Sequence, residues 1–198
     1  MRKASLISIS MALMVVAGLG SLGSCKHGYT KLVEQELAKN VRYDSLFLGL
    51  RLGMNKKEFF NHCWELNKKG IVAEGLSNTS VLYEFERAGK KLEVNFYPNF
   101  YKNKIASLPV DYSYAAFAPW NPKFSLDTLF SEIVSLQKEW YGEDFLTLEH
   151  SKQGTAFVRV DGNRQIAISK NIDRNNVLVL YKDLTIVSDD EPIDPLGE

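Results

Sequence analysis

Charge of one dominant sign is missing: 24 Lys and Arg residues balance 24 Asp and Glu, for a net charge of zero. That balance argues against a dedicated nucleic-acid binder, which needs a basic face. Long hydrophobic runs are missing too. The apolar stretch Leu6 to Val16 is shorter than the about 17–25 residues of a spanning helix, so a multi-span membrane protein is excluded. Histidine is scarce. His27, His62 and His150 show neither His-x-x-His nor Cys-x-x-Cys spacing, which argues against a metal site. A Gly-x-Ser-x-Gly elbow, a Walker loop and a dinucleotide fingerprint are all absent, so the sequence implies no cofactor. Cysteine is limited to Cys25 and Cys63.

What is present begins with an address. Arg2 and Lys3 precede the apolar stretch, and small residues and glycines follow it. This is the layout of a secretory signal. Residues 22–25, Leu-Gly-Ser-Cys, resemble a bacterial lipobox: a branched apolar residue, two small ones, then cysteine. The alternative is an ordinary signal peptide with Cys25 near the cut. The lipobox resemblance implies diacylglycerol on Cys25, cleavage just before it (residues 1–24 removed) and acylation of the new amino group, commonly palmitate. Two or three acyl chains hold a protein to a bilayer effectively for good. Lys26 to Thr30 contain no acidic residue. By resemblance to lipoprotein sorting signals, this implies the outer membrane, periplasmic side. Lipidation consumes one of the two cysteines, so no internal disulfide remains and stability rests on the core.

Residues 25–43 read as a lipidated tether, with a short helix from Lys31 to Lys39 capped by Thr30 and Leu32, Val33 and Leu37 as its apolar face. Leu46, Leu48, Leu50 and Leu52 alternate with other residues, a strand-like period. Asn55 and Glu58 form a capping-box pair ahead of a helix whose apolar face is Phe59, Cys63 and Leu66, supported by Phe60 and Trp64. Gly70 provides its stop. A hairpin is expected where Val81, Tyr83 and Phe85 run to Ala88-Gly89 and Leu92, Val94 and Phe96 run away. A strand over 104–114 carries Pro109 as an edge or bulge mark. Ser125 caps a second helix with Leu126, Leu129, Phe130, Ile133, Leu136 and Trp140 as its stripe and Gly142 as its stop. Four further strands are expected at about 145–149, 155–160, 164–169 and 177–181, with Asp161-Gly162 as a turn.

The order predicts an α+β fold: antiparallel sheet with two main helices on one face, in tandem helix-then-strands halves at 44–114 and 125–187. An aromatic and proline-rich connection, 115–124, joins them, and 188–198 form an acidic tail. The run from Leu48 through Gly53-Met54-Asn55 to Glu58 resembles the opening of lipoprotein domains of the BamE/SmpA type. That family has two adjacent helices before its strands, whereas this chain pairs one helix with several strands, twice. The tandem arrangement is similar to the β-lactamase-inhibitor-protein fold. The whole resembles a Bacteroidota-type outer-membrane lipoprotein, which implies a scaffold for protein contacts and not a catalyst.

Catalytic candidates are few. His62 and Cys63 are adjacent on a helix, so they diverge by about 100° and do not face each other. Cys63 shares the apolar stripe, so a core thiol is the expected role and a reactive thiolate the alternative. Glu143, Asp144 and Glu149 are the carboxylates available to a hydrolase, which needs a pair held about 5–9.5 Å apart across a cleft.

The aromatic stretch around Tyr114, Phe117 and Trp120 has two readings. The rings fold back to seal the seam between the halves, or they form an exposed platform for an envelope protein partner or a glycan. The sequence therefore predicts a non-catalytic, membrane-anchored interaction module. A glycan- or small-ligand-binding lipoprotein is the second reading and a carboxylate hydrolase the third.

Overall fold

The computed structural model describes residues 24–75, 79–116, 120–150 and 154–186. Helix α1 (Ser24–Ala38) comes first, then α2 (Lys56–Lys68). The strands β1 (Val72–Glu74), β2 (Val81–Arg87), β3 (Lys90–Phe96), β4 (Asn99–Tyr101) and β5 (Lys104–Tyr114) follow. Helix α3 (Leu126–Tyr141) then leads into β6 (Leu146–His150), β7 (Gly154–Asp161), β8 (Arg164–Asn171) and β9 (Asn176–Asp183). All strands join one antiparallel sheet in the order β1-β2-β3-β5-β9-β8-β7-β6, with β4 paired to β5. Each half is a helix followed by a meander, and the two meanders meet through their last strands, Tyr112 opposite Val177 and Leu108 opposite Tyr181.

Local chemistry explains the helix ends. The Asn55 side chain accepts from Glu58 N (2.9 Å) and Glu58 accepts from Asn55 N (3.2 Å), the reciprocal capping box. Gly70 leaves α2 at φ +67. Ser125 Oγ accepts from Thr128 N and Gly142 ends α3 at φ +99. Pro109 sits where the strand flanking β5 changes, from β3 (Phe96 opposite Val110) to β4 (Asn99 opposite Ser107). A missing N–H is tolerated at such a break in the ladder.

Residues 46–52 are not a strand. Leu48 (φ +53) and Gly49 (φ +76) reverse the chain, and Leu50 N donates to Phe47 O (3.0 Å). Only an isolated bridge, Ser45 to Arg51, survives of strand pairing. Two positive φ values in the middle of a turn reverse direction tightly, and the fold-back buries Leu46, Phe47, Leu50 and Leu52 together.

Side chains alternate across a strand, so the sheet has two cores. Ile166, Ile168, Val177, Val179 and Tyr181 face α3, where Leu129, Ile133 and Leu136 meet them, and Phe59 of α2 joins the same cluster. Ala156, Val158, Val160 and Ala167 face the other way and pack on Tyr29 and Val33 of α1. Part of the segment read as a tether is thus a docked helix. Tyr29 donates its phenol proton to Gln165, Gly162 N donates to Glu36 (3.2 Å), and Tyr43 N donates to Asn163 (2.7 Å). The corresponding face of the first half has no helix among the described residues and carries Glu84, Glu86, Glu93, Asn95 and Asp111, on the side away from Tyr83, Val94 and Tyr112.

Candidate functional site

Of the aromatics anticipated as a platform, Tyr114 and Trp120 lie among the described residues. Tyr114 is half-buried; its hydroxyl donates to Glu132 (3.0 Å), Lys90 lies over its ring and pairs with Glu132, and Phe124 packs edge-on at 5.2 Å. It seals the base of α3 against β5. Trp120 stands 81% exposed. Phe117 lies outside the described residues, as does the acidic tail at 188–198. Cys25 falls within the first turn of α1, and only three residues separate it from Tyr29, which is buried.

The carboxylate candidates are spread over the surface. Glu143 pairs with Lys138 (3.1 Å) and Asp144 approaches Arg159 (3.8 Å). Glu149 accepts from Thr155 (3.1 Å). None of the three lines any of the clefts described next.

Clefts lined by described residues lie elsewhere, these three among them. The first, about 990 Å³, runs between α2 and the sheet edge at β1 and β2 and includes Phe60, Cys63, Trp64, Val72, Val81 and Tyr97 in its lining. Phe59 is buried from the same helix turn and braces Phe60 (5.6 Å), Tyr97 (6.0 Å) and Phe100 (5.9 Å) from behind. Phe60 and Trp64, four residues apart on one helix face, remain 47% and 62% exposed. One wall of this groove is a three-residue edge strand.

Cys63 sits in the same groove. Burial pushes its thiol up to about 11, so it is protonated at neutral pH and behaves as an apolar group. Alkylation of Cys63 by iodoacetamide at pH 8 is expected to be roughly 100-fold slower in the folded chain than in urea, from two pH units of lost thiolate. Equal rates would refute the buried-thiol assignment.

The second cleft, about 360 Å³, is bounded by Phe47, Tyr83, Trp140 and Tyr141. Phe47 and Trp140 lie nearly parallel, 13° and 6.4 Å apart. Beneath it is a buried polar cluster: Tyr181 donates to Gln137 (2.8 Å), and Gln137 donates to Tyr112 (3.4 Å). Burial raises the phenol pKa of Tyr112, Tyr141 and Tyr181, which keeps them protonated as donors. The reversal at Leu48-Gly49 brings Phe47 here, and His62 Nε2–H donates to Leu48 O (2.7 Å) to hold the turn. A β-carbon on Gly49 would come within 3.3 Å of that imidazole.

The third cleft, about 560 Å³, is charged and includes Arg42, Asp44, Arg51, Glu58, Lys104 and Asp183 in its lining. Arg42 bridges Asp44 and Asp183, each at 2.8 Å. Its hydrogen bonds to the Asp44 and Asp183 carboxylates push its guanidinium pKa further up.

The sequence pattern did not assemble these clefts, because their walls come from segments far apart in the chain. Phe60 and Trp64, expected to support the apolar face of α2, instead stand exposed, because Phe59 is the ring of this helix that enters the core. The chain matches no family model, no curated protein and no solved structure.

Proposed function

We propose that this chain is a membrane-anchored, non-catalytic lipoprotein that serves as a protein-interaction module of the cell envelope, on the periplasmic face of the outer membrane. The lipobox at residues 22–25 supports the anchor. The groove between α2 and β1 carries the interaction reading. Large exposed rings side by side are uncommon on a surface without a partner, and Phe60 and Trp64 stand beside β1, the short strand at the end of the sheet order, whose Val72 carbonyl accepts from Asn67 (2.9 Å). The partner this fits is an extended, apolar segment of another envelope protein.

A photo-reactive amino acid at position 60 is expected to trap one defined envelope protein in intact cells. With that partner purified, Trp64→Ala should weaken binding by at least tenfold, as befits an aromatic anchor. An unchanged affinity for the trapped partner would remove the groove as the contact surface.

The glycan-binding reading has its own support in the second cleft. Phe47 and Trp140 offer flat rings, and Tyr83 and Tyr141 carry hydroxyl groups at the same lining. Saccharide binding that depends on Trp140 and not on Trp64 would favour it over the groove.

A further inference from the structure

We propose that the charged cleft beside the start of α2 is a site for an acidic peptide, and that residues 189–194 of this same chain are its occupant. The three acids lining the cleft are already engaged: Asp44 and Asp183 with Arg42, Glu58 with the backbone of Asn55. Two of the three cations are not. Arg51 and Lys104 are exposed and have no ion-pair partner among the described residues. Three more exposed lysines extend the positive surface. Lys56 and Lys57 open α2 directly after Asn55, which bridges to Lys104, and Lys102 lies two residues before Lys104 in the β4–β5 turn.

The chain delivers its own counter-charge to this place. Strand β9 runs into the cleft, and Asp183, Thr185 and Ile186 form part of its wall. Beyond Ile186 come Asp189, Asp190, Glu191, Asp194 and Glu198, with no Lys or Arg among residues 187–198. Three extended residues span about 10 Å, so Asp189 reaches the cleft from Ile186 without any rearrangement of the sheet. Attachment in cis gives an effective concentration of about the millimolar order. Solvent-exposed pairs are individually weak, about 0.2–1 kcal/mol, so several acting together make a contact that salt loosens.

The test is zero-length carbodiimide cross-linking of the full chain, followed by peptide mass spectrometry. Amide links from Asp189, Asp190 or Glu191 to Lys104, Lys102, Lys56 or Lys57 are expected, within one molecule, with yield falling severalfold at high salt. Links spread evenly to distant lysines such as Lys31 and Lys68 would overturn the proposal. A labelled peptide of residues 187–198 supplies a second arm. It should bind a chain carrying Asp189→Asn, Asp190→Asn, Glu191→Gln and Asp194→Asn, and bind the unsubstituted chain several-fold more weakly. Adding Arg51→Ala and Lys104→Ala should weaken that binding about 2- to 10-fold. Equal peptide binding to both chains would overturn the assignment. So would binding of inorganic phosphate or phosphatidylglycerol vesicles that neutralising the tail does not alter.

Discussion

Cys25→Ala is expected to transfer the protein from the membrane pellet to the soluble fraction and to abolish fatty-acid labelling. The expected effect is large because the proposed anchor is the only strong membrane contact invoked. Each buried methylene contributes about 0.8 kcal/mol, so two or three acyl chains together supply tens of kcal/mol. No helix among the described residues is long and apolar enough to cross a bilayer and substitute for it. Sedimentation of both forms, with the mass of the mature amino terminus, checks the outcome. Undiminished sedimentation together with no label on the unsubstituted chain would refute lipidation and the envelope placement built on it.

Asp161→Asn is expected to lower stability by about 1–3 kcal/mol, the usual cost of losing charge-assisted hydrogen bonds in a half-buried ion cluster. Asp161 receives Arg159 Nε (2.8 Å) and Arg164 Nη2 (2.9 Å), and Arg159 Nη2 approaches it at 2.8 Å. Arg164 is nearly buried, lies over the Tyr141 ring at 4.6 Å and donates to Ser45 O (2.8 Å). Arg159 Nη1 and Arg164 Nε already lack hydrogen-bond partners among the described residues, so the neutral amide leaves two guanidinium groups under-compensated in a poorly hydrated place. Burial alone pushes the Asp161 carboxyl up, but hydrogen bonds from Arg159 and Arg164 outweigh it and hold the group below its ordinary value. A lowered folded-state pKa stabilises above the unfolded value, near 3.8, and that stability is lost as pH falls through the folded one. Urea midpoints at pH 7 and between pH 4 and 2 therefore test both size and sign. The variant should be less stable at pH 7 and lose less on acidification. A shift under about 1 kcal/mol at pH 7 would show that the cluster is well solvated.

The elements with strong local chemistry were legible in the sequence. Asn55 with Glu58, Ser125 and Gly142 fix both main helices, and β5 occupies the expected residues 104–114. Legibility failed where tertiary contacts choose between equal local options. Leu46 to Leu52 alternate as a strand would, yet the Leu48-Gly49 reversal hides inside that alternation because each arm is too short to contradict it. The second-helix stripe was read with Trp140 inside, but Trp140 is 43% exposed, while Gln137 is fully buried because Tyr112 and Tyr181 satisfy its amide. The side of the sheet taken by α1 had no sequence signal. Tyr29 and Val33 announce an apolar face but not which surface receives it. For the same reason the aromatic cleft stayed invisible: Phe47, Tyr83 and Trp140 each have an ordinary local role, and only the assembled sheet and helices bring them together.

The position of β9 has a kinetic meaning. It is the last strand in sequence, yet it lies in the middle of the sheet, between β5 and β8. Until residues 176–183 are in place, β5 presents a bare row of amides and carbonyls, and its pairing Tyr112 to Val177 must close a loop of dozens of residues. Such non-local closure is slow. The first meander, arriving alone from a ribosome or a translocation pore, carries a sticky unpaired border. Completion of the sheet therefore waits on residues 176–183, and Ser107 to Tyr112 keep one open edge until they arrive.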